Sequence, residues 1–502
     1  MNKQVKLGAI ISYVLIILNA TYGLFLTPFI VDQLGDSSYG VYKTISALTS
    51  SFMVLDSGVG ATIMRYVAKY RAEKKDDEIP NFLSMGVIQT TIVCSIVAII
   101  TTVAYFFLDI IYGKSLTTSE LSEAKILYVF LALGMIAHMV ENFINGIISG
   151  YNQFAFANGA RVIRLLLRIL AIVLFLSFIK SSLVLVIIDL AITIVFIFIE
   201  LVYLHFKLNV RIKYDHFDGS LFKESFIYII LMFLSSTISQ VNGNLSNVFI
   251  GAMISAASVT IYSMASLIFT MYMNLATAIS GVMLPTVTQT LNDDDDKYTK
   301  TIDLVVKTGR IQFLLLGAVA MGFFVLGIPF IEVWLGRSSL DVYYLTLIML
   351  IPALFELCIN VCLSILRAKN MIGFRTVVMA CSAAVNIAII LVFMPYIGYY
   401  AAAIATAFSF FFGSVVTMGI YYYKKLGINV LKIYKRIFGK IWICIIISGV
   451  GSYFSSLLVK VAWHKLLVGI PVFCVIYAIM LLLFGLTREE KQQIPIIKKY
   501  IR

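Results

Sequence analysis

The sequence predicts an all-α integral membrane protein that crosses a bilayer about fourteen times. Three observations carry that prediction. Apolar runs recur along the whole chain, positive charge alternates between the turns that join them, and one polar motif occurs twice, 215 residues apart.

Of 502 residues, 61% are hydrophobic and 13% charged, against roughly 25% charged in soluble domains. A water-facing surface cannot be assembled from that pool. A membrane helix needs about 20 mostly apolar residues. Such windows lie near 7–30, 39–67, 82–110, 124–149, 159–179, 182–206, 222–250, 256–289, 302–334, 341–366, 372–393, 398–423, 436–459 and 465–485. Several exceed one straight crossing, so tilt or kinks are expected. The run Leu7–Leu18 could mimic a signal peptide, but no small-residue cleavage site follows, and it reads as a retained first span.

Positive charge gives the direction. The odd-to-even turns carry six Lys and Arg residues, the termini and the other turns carry 32, and Lys43 lies inside span two. Such a split places both termini and the even-to-odd turns in the cytoplasm. In a soluble chain the net charge of +13 would suggest nucleic acid; here it follows from topology, and no nucleic-acid partner is expected. The outer loops are too short to fold as domains. Cys94, Cys358, Cys362, Cys381, Cys444 and Cys474 all sit in apolar runs without metal-ligand spacing, and read as buried small hydrophobes.

The repeat divides the chain. Glu141-Asn-Phe-Ile-Asn145 with Ser149 matches Glu356-Leu-Cys-Ile-Asn360 with Ser364, and Gly159-Ala-Arg161 matches Gly373-Phe-Arg375. The matches link spans four and five to spans ten and eleven. A separation of six spans preserves orientation, so this is a parallel repeat, an arrangement common among transporters. The expected organisation is a first lobe over 1–220, a second over 221–430, and spans 13 and 14 with a cytoplasmic tail over 431–502. The acidic run Asp293–Asp296 reads as a solvated linker.

Ionisable groups at membrane depth are costly and face an interior or a cavity. His138, Glu141 and Asn145 share one helix face, as do Arg161, Arg164 and Arg168. About a symmetric hairpin centred at 154.5, Glu141 and Arg168 lie at equal depth, each 13.5 residues away. This predicts a Glu141–Arg168 ion pair about 10–15 Å below the inner surface. Arg161 is close enough to the cytoplasm to serve as a simple anchor, whereas Arg168 is too deep to snorkel. The second lobe keeps Glu356 and Asn360 but has Val378 and Ser382 where Arg164 and Arg168 would map. The candidate cavity residues for substrate are Arg168, Arg164, Arg161, Asn145, Gln240, Asn244, Asn247 and Asn360. Glu141, Asp56, Asp189 and Glu356 are the candidates for ion coupling. The polar stripe of span seven, Gln240 to Asn247, serves equally well as helix glue. Nucleotide-binding and hydrolase motifs are absent, so no enzyme, metal or cofactor is expected.

The opening resembles the polysaccharide flippases of the multidrug/oligosaccharidyl-lipid/polysaccharide exporter superfamily. The resemblance lies in Gly8-Ala-Ile-Ile-Ser12, Phe25-Leu-Thr-Pro-Phe-Ile-Val-Asp-Gln-Leu-Gly35, Tyr39-Gly-Val-Tyr42, Leu55-Asp-Ser-Gly-Val-Gly60 and Arg65-Tyr-Val-Ala-Lys69. It is close over about the first seventy residues and extends in topology to the whole chain. It implies two six-helix lobes in a V shape plus two extra helices. It also implies alternating access that moves undecaprenyl-pyrophosphate-linked oligosaccharide repeat units outward for O-antigen or capsule assembly. Membrane lipids and a polysaccharide polymerase are the partners implied, with H⁺ or Na⁺ as the coupling ion. A cationic cavity in that branch agrees with Arg164 and Arg168, since a guanidinium suits phosphate. A multidrug or cation antiporter on the same fold, and an integral membrane enzyme of polysaccharide synthesis, are the alternatives.

Overall fold

The computed structural model describes residues 3–56, 58–292, 297–336, 339–368, 371, 373–487 and 490–491. The described residues contain no strand. The α-helices are α1 (Lys3–Phe52), α2 (Val59–Ala72), α3 (Ile79–Tyr112), α4 (Thr118–Gly150), α5 (Phe154–Phe178), α6 (Ser182–Phe206), α7 (Gly219–Met253), α8 (Ala256–Asn292) and α9 (Lys297–Leu335). They continue with α10 (Leu340–Cys358), α11 (Val361–Ala368), α12 (Gly373–Ile397), α13 (Tyr400–Phe408), α14 (Met418–Leu426), α15 (Val430–Phe438), α16 (Ile441–Leu457) and α17 (Ala462–Met480). Among the described residues, nine helical segments are long and apolar enough to cross a membrane. There are ten if α15 and α16, bent by 48°, form one span. Each of the fourteen spans expected from the sequence has helix over it, and these segments are consistent with that count. Asp293–Asp296 and Arg337 lie outside the described residues.

The stretch labelled α1 is two helices that meet at a kink at Gly35, between the spans expected at 7–30 and 39–67. Gly35 has φ 78° and ψ 164°, a conformation open to glycine and costly for most other residues. The start of α4 holds the polar residues just after the kink. Ser37 bonds Glu120, and Ser38 donates to Glu123 at 3.2 Å. The chain then tightens into a 3₁₀ turn, Met53–Asp56, before α2 begins.

Local chemistry sets the helix ends. Thr117 and Glu120 form a reciprocal capping box at the start of α4. Asp218 caps α7, accepting from the backbone N–H of Ser220 and Leu221 at 2.9 and 3.1 Å. Hydrogen bonds from the Ser220 side chain and the Leu221 N–H hold its carboxyl below the ordinary value. α14 ends on Gly427 in the left-handed conformation.

Contacts gather the chain into two compact units, Met1–Ser263 and Met264–Arg502. The first unit takes in α7, which the repeat places in the second lobe, because α7 packs along α1. Within this unit α4 packs between α2 and α6, and α5 lies along α1. Residues suited to lipid face outward: on α3, Ile99, Val103, Phe106 and Ile110 are exposed, while Gln89, Thr90 and Thr101 are buried. Gln89 donates to Ser225 Oγ of α7 at 2.7 Å, an interhelical bond of the kind that holds membrane bundles. In the second unit α16 and α17 form a hairpin, with Ser452 Oγ donating to the Gly469 carbonyl at 2.9 Å, and both pack on α9.

Packing is close where α2 crosses α4. A Cβ on Gly146 would stand 2.6 Å from the Gly60 carbonyl, whereas one on Gly134 of the same helix would meet nothing within 4 Å. Gly146→Ala is therefore expected to destabilise the protein by about 1–3 kcal/mol, and Gly134→Ala to be neutral or slightly stabilising. Thermal unfolding of the two purified variants in one detergent checks this order; equal midpoints would contradict it.

Candidate functional site

Four elements of the first unit converge on a cavity of about 410 Å³. α4 contributes His138, Glu141, Asn142 and Asn145; α5 contributes Arg161, Arg164 and Arg168; α6 contributes Asp189 and Ile192; and Asp56 enters from the 3₁₀ turn. Leu15 and Asn19 of α1 close one side. The two polar faces recognised in the sequence thus meet, together with Asp56 and Asp189.

Their pairing differs from the expected one. Glu141 pairs with Arg164, not Arg168. The reason is the turn. α4 continues to Gly150 and α5 starts at Phe154, with Asn152 in the left-handed conformation, so the hairpin is centred near residue 152 and not at 154.5. About the earlier centre, Arg164 is the counterpart of Glu141. Arg168, one turn further on, finds its acid on α6: its Nε lies 2.6 Å from Asp189 Oδ1 and its Nη2 donates to Oδ2 at 2.7 Å. Only Nη2 makes a hydrogen bond to Asp189; Nε is close to the carboxylate but buried without one. The Tyr22 ring of α1 lies 5.3 Å below the same guanidinium.

Arg164 is the more enclosed of the two. Besides Glu141, its Nη2 donates to Thr193 Oγ1 at 2.5 Å and faces His138 Nε2 at 3.1 Å. His138 Nδ1 lies 3.2 Å from Glu141 Oε2. His138 thus lies between Arg164 and Glu141, although Glu141 Oε2 itself is buried without a hydrogen-bond partner. Beneath them, Asn145 donates to both oxygens of Glu200, at 3.1 and 3.2 Å. Asp56 accepts from Asn142 Nδ2 at 2.8 Å through Oδ2. Its Oδ1 is buried without a hydrogen-bond partner.

Arg161 differs from its neighbours. It is exposed, lines the cavity and makes no ion pair among the described residues. The charge available to a ligand is therefore at Arg161, while Arg164 and Arg168 are already engaged.

Asn247 of α7 accepts from Ser263 Oγ of α8 at 3.3 Å, a helix-to-helix bond. Gln240 and Asn244 are on α7, and their side chains lie outside the described residues. In the second unit, Glu356 is buried and takes Arg375 Nη2 at 3.3 Å, so the motif pairs its acid with the equivalent of Arg161. Asn360 falls between α10 and α11, at a break after Cys358.

Sequence reasoning missed Asn142, Thr193 and the function of Glu200. Asn142 follows Glu141 directly and so falls off the spacing that singled out its neighbours. Thr193 and Glu200, by contrast, follow Asp189, already a candidate from the sequence, at spacings of four and eleven on one face of α6, a signal that could have found them.

Known proteins place this arrangement. Residues 5–291 match the family described as polysaccharide biosynthesis protein. No curated protein sequence matches the chain. Among solved structures, the fold is similar to the lipid II flippase MurJ in an inward closed conformation. The TM-score is 0.71 at 16% identity over 95% of this chain and 98% of that one. It is also similar to an inward-facing multidrug resistance MATE family transporter of the MOP superfamily, with a TM-score of 0.61 at 14% identity over 84% and 94% of the two chains. A MOP superfamily transporter from Pyrococcus furiosus gives 0.53 at 15% identity over 86% and 94%. These likenesses establish a membrane-transporter fold. The match over more than half of the sequence shows that the chain belongs to the polysaccharide biosynthesis protein family.

Proposed function

We propose that this protein is a flippase that moves undecaprenyl-pyrophosphate-linked oligosaccharide repeat units from the inner to the outer leaflet, for assembly of a surface polysaccharide such as O-antigen or capsule. It works in the bacterial cytoplasmic membrane with both termini in the cytoplasm. Family membership and the transporter fold support the class of activity. The observation that carries the substrate reading is the cavity of the first unit, where an unpaired Arg161 stands beside Arg164 and Arg168.

The chemistry runs in steps. The pyrophosphate meets Arg161 first, since that guanidinium has no carboxylate to give up. Its remaining oxygens then compete with Glu141 and Asp189 for Arg164 and Arg168, which hold the geometry for bidentate phosphate binding. Asn145 and Asn19 offer amides to sugar hydroxyls. Occupancy and release shift the balance between inward- and outward-open states only as far as the two states bind the headgroup differently. H⁺ or Na⁺ supplies the bias at Asp56, whose Oδ1 is free, or at the Glu141 group.

The carboxylates around the arginines are also what a cation antiporter on this fold would use. Arg161 favours the anionic substrate, because a cationic drug would meet an unneutralised positive charge at its entry.

Transport in proteoliposomes distinguishes these readings. Arg161→Gln is expected to lower translocation of lipid-linked oligosaccharide at limiting substrate by about tenfold to a hundredfold, the loss of one charge-assisted contact. Arg168→Ala is expected to abolish it, and translocation at the normal rate by Arg168→Ala would sink the substrate reading. Asp56→Asn is expected to remove the acceleration given by an imposed proton or sodium gradient while leaving gradient-free exchange. Full gradient dependence in that variant would exclude Asp56 as the coupling group.

A further inference from the structure

The second unit carries a separate feature that translocation does not use. No Asp or Glu occurs between Glu356 and Glu489, a stretch holding twelve Lys and Arg residues. Six of these, Lys424, Lys425, Lys432, Lys435, Arg436 and Lys440, fall within 17 residues and are all exposed. Their scaffold is α15, which joins α14 to α16 and is bent by 48° from α16. One face of α15, Val430, Ile433, Tyr434 and Ile437, is buried, and the other is basic. Leu431, at 80% exposed, projects between them. A short amphipathic helix with a basic face, attached to a membrane span, lies in the interface plane.

Beside this helix is an apolar cavity of about 560 Å³. Phe355, Phe411, Val415, Ile420, Tyr423 and Tyr434 line it. Asn429 and Leu431 also face it, so the chain that forms the cavity wall is the chain that carries Lys424, Lys425 and Lys432. Part of the wall comes from the π-helical stretch Ser409–Thr417 between α13 and α14, a local widening that often marks a functional position. Gly419 leaves room there: a Cβ at that position would find nothing closer than Val430 at 3.8 Å. Asp303 pairs with Arg436 of this patch at 2.7 Å, whereas Lys424, Lys425 and Lys432 make no ion pair among the described residues. An apolar slot beside these lysines matches an acyl chain joined to a phosphate.

We propose that this groove binds an anionic phospholipid of the surrounding membrane, with an acyl chain in the cavity and the headgroup phosphate on Lys424, Lys425 and Lys432. Each lysine near a membrane surface strengthens such binding by roughly fivefold.

Native mass spectrometry of the full-length protein tests this, with phosphatidylglycerol and phosphatidylcholine added in equal amounts. Wild type is expected to retain phosphatidylglycerol preferentially. The triple variant Lys424→Gln, Lys425→Gln, Lys432→Gln should weaken that retention by about a hundredfold. Gly419→Leu, which fills the groove and leaves the charge alone, should weaken both lipids. An equal removal of charge elsewhere, Lys69→Gln, Lys74→Gln, Lys207→Gln, should leave retention unchanged. Retention as strong in the first triple variant as in wild type would overturn the proposal. So would an equal loss in the second triple variant, which would make the effect bulk charge, and so would retention unaffected by Gly419→Leu, which would leave no role for the groove.

Discussion

A guanidinium removed from water costs several kcal/mol unless an opposite charge and full hydrogen bonding accompany it, and the first unit is built around that constraint. Arg164 and Arg168 are fixed charges on a helix that lies within a predominantly apolar bundle. Each has drawn a carboxylate to it: Glu141 from α4 for one, Asp189 from α6 for the other. Those two pairs tie α5 to both of its neighbours in the hairpin order. They explain why Thr193 turns its hydroxyl toward Arg164 and why Asn145 stands over Glu200.

The same pairs define what the cavity can do. Three arginines and three carboxylates line it, so its empty state is close to neutral and compatible with burial. On the proposed reading, a phosphate ligand competes with Glu141 and Asp189 for Arg164 and Arg168. Arg161 is exposed and makes no ion pair among the described residues, so it would give an anion its first point of attraction. The backbone around Asp56 is equally constrained. A Cβ on Gly58 would stand 2.4 Å from the Ile229 carbonyl, so the turn that presents Asp56 is wedged against α7.

Much of this was legible before the structure. Apolar length placed the helices, since a bilayer fixes the length of a span more strictly than a soluble core does. Helical periodicity put His138, Glu141 and Asn145 on one face and the arginines on another, and costly intramembrane charge marked both as functional. The partner of each charge was not legible. It depended on the hairpin turn, and a two-residue shift of its centre moved Glu141 from Arg168 to Arg164. Hydropathy also could not show that the chain after the kink at Gly35 is held by Glu120 and Glu123, more than eighty residues away. Asn142 escaped for a related reason: its role arises from Asp56, on another element.

The central claim is that Asp189 competes with substrate phosphate for Arg168. Binding of undecaprenyl pyrophosphate to the purified protein in nanodiscs tests it most directly, with wild type, Asp189→Asn, Arg168→Gln and the double variant measured together. Competition predicts tighter binding in Asp189→Asn, weaker binding in Arg168→Gln, and a double variant that behaves as Arg168→Gln does. Weaker binding in Asp189→Asn, equal to that in Arg168→Gln, would contradict the account and make the pair a structural brace.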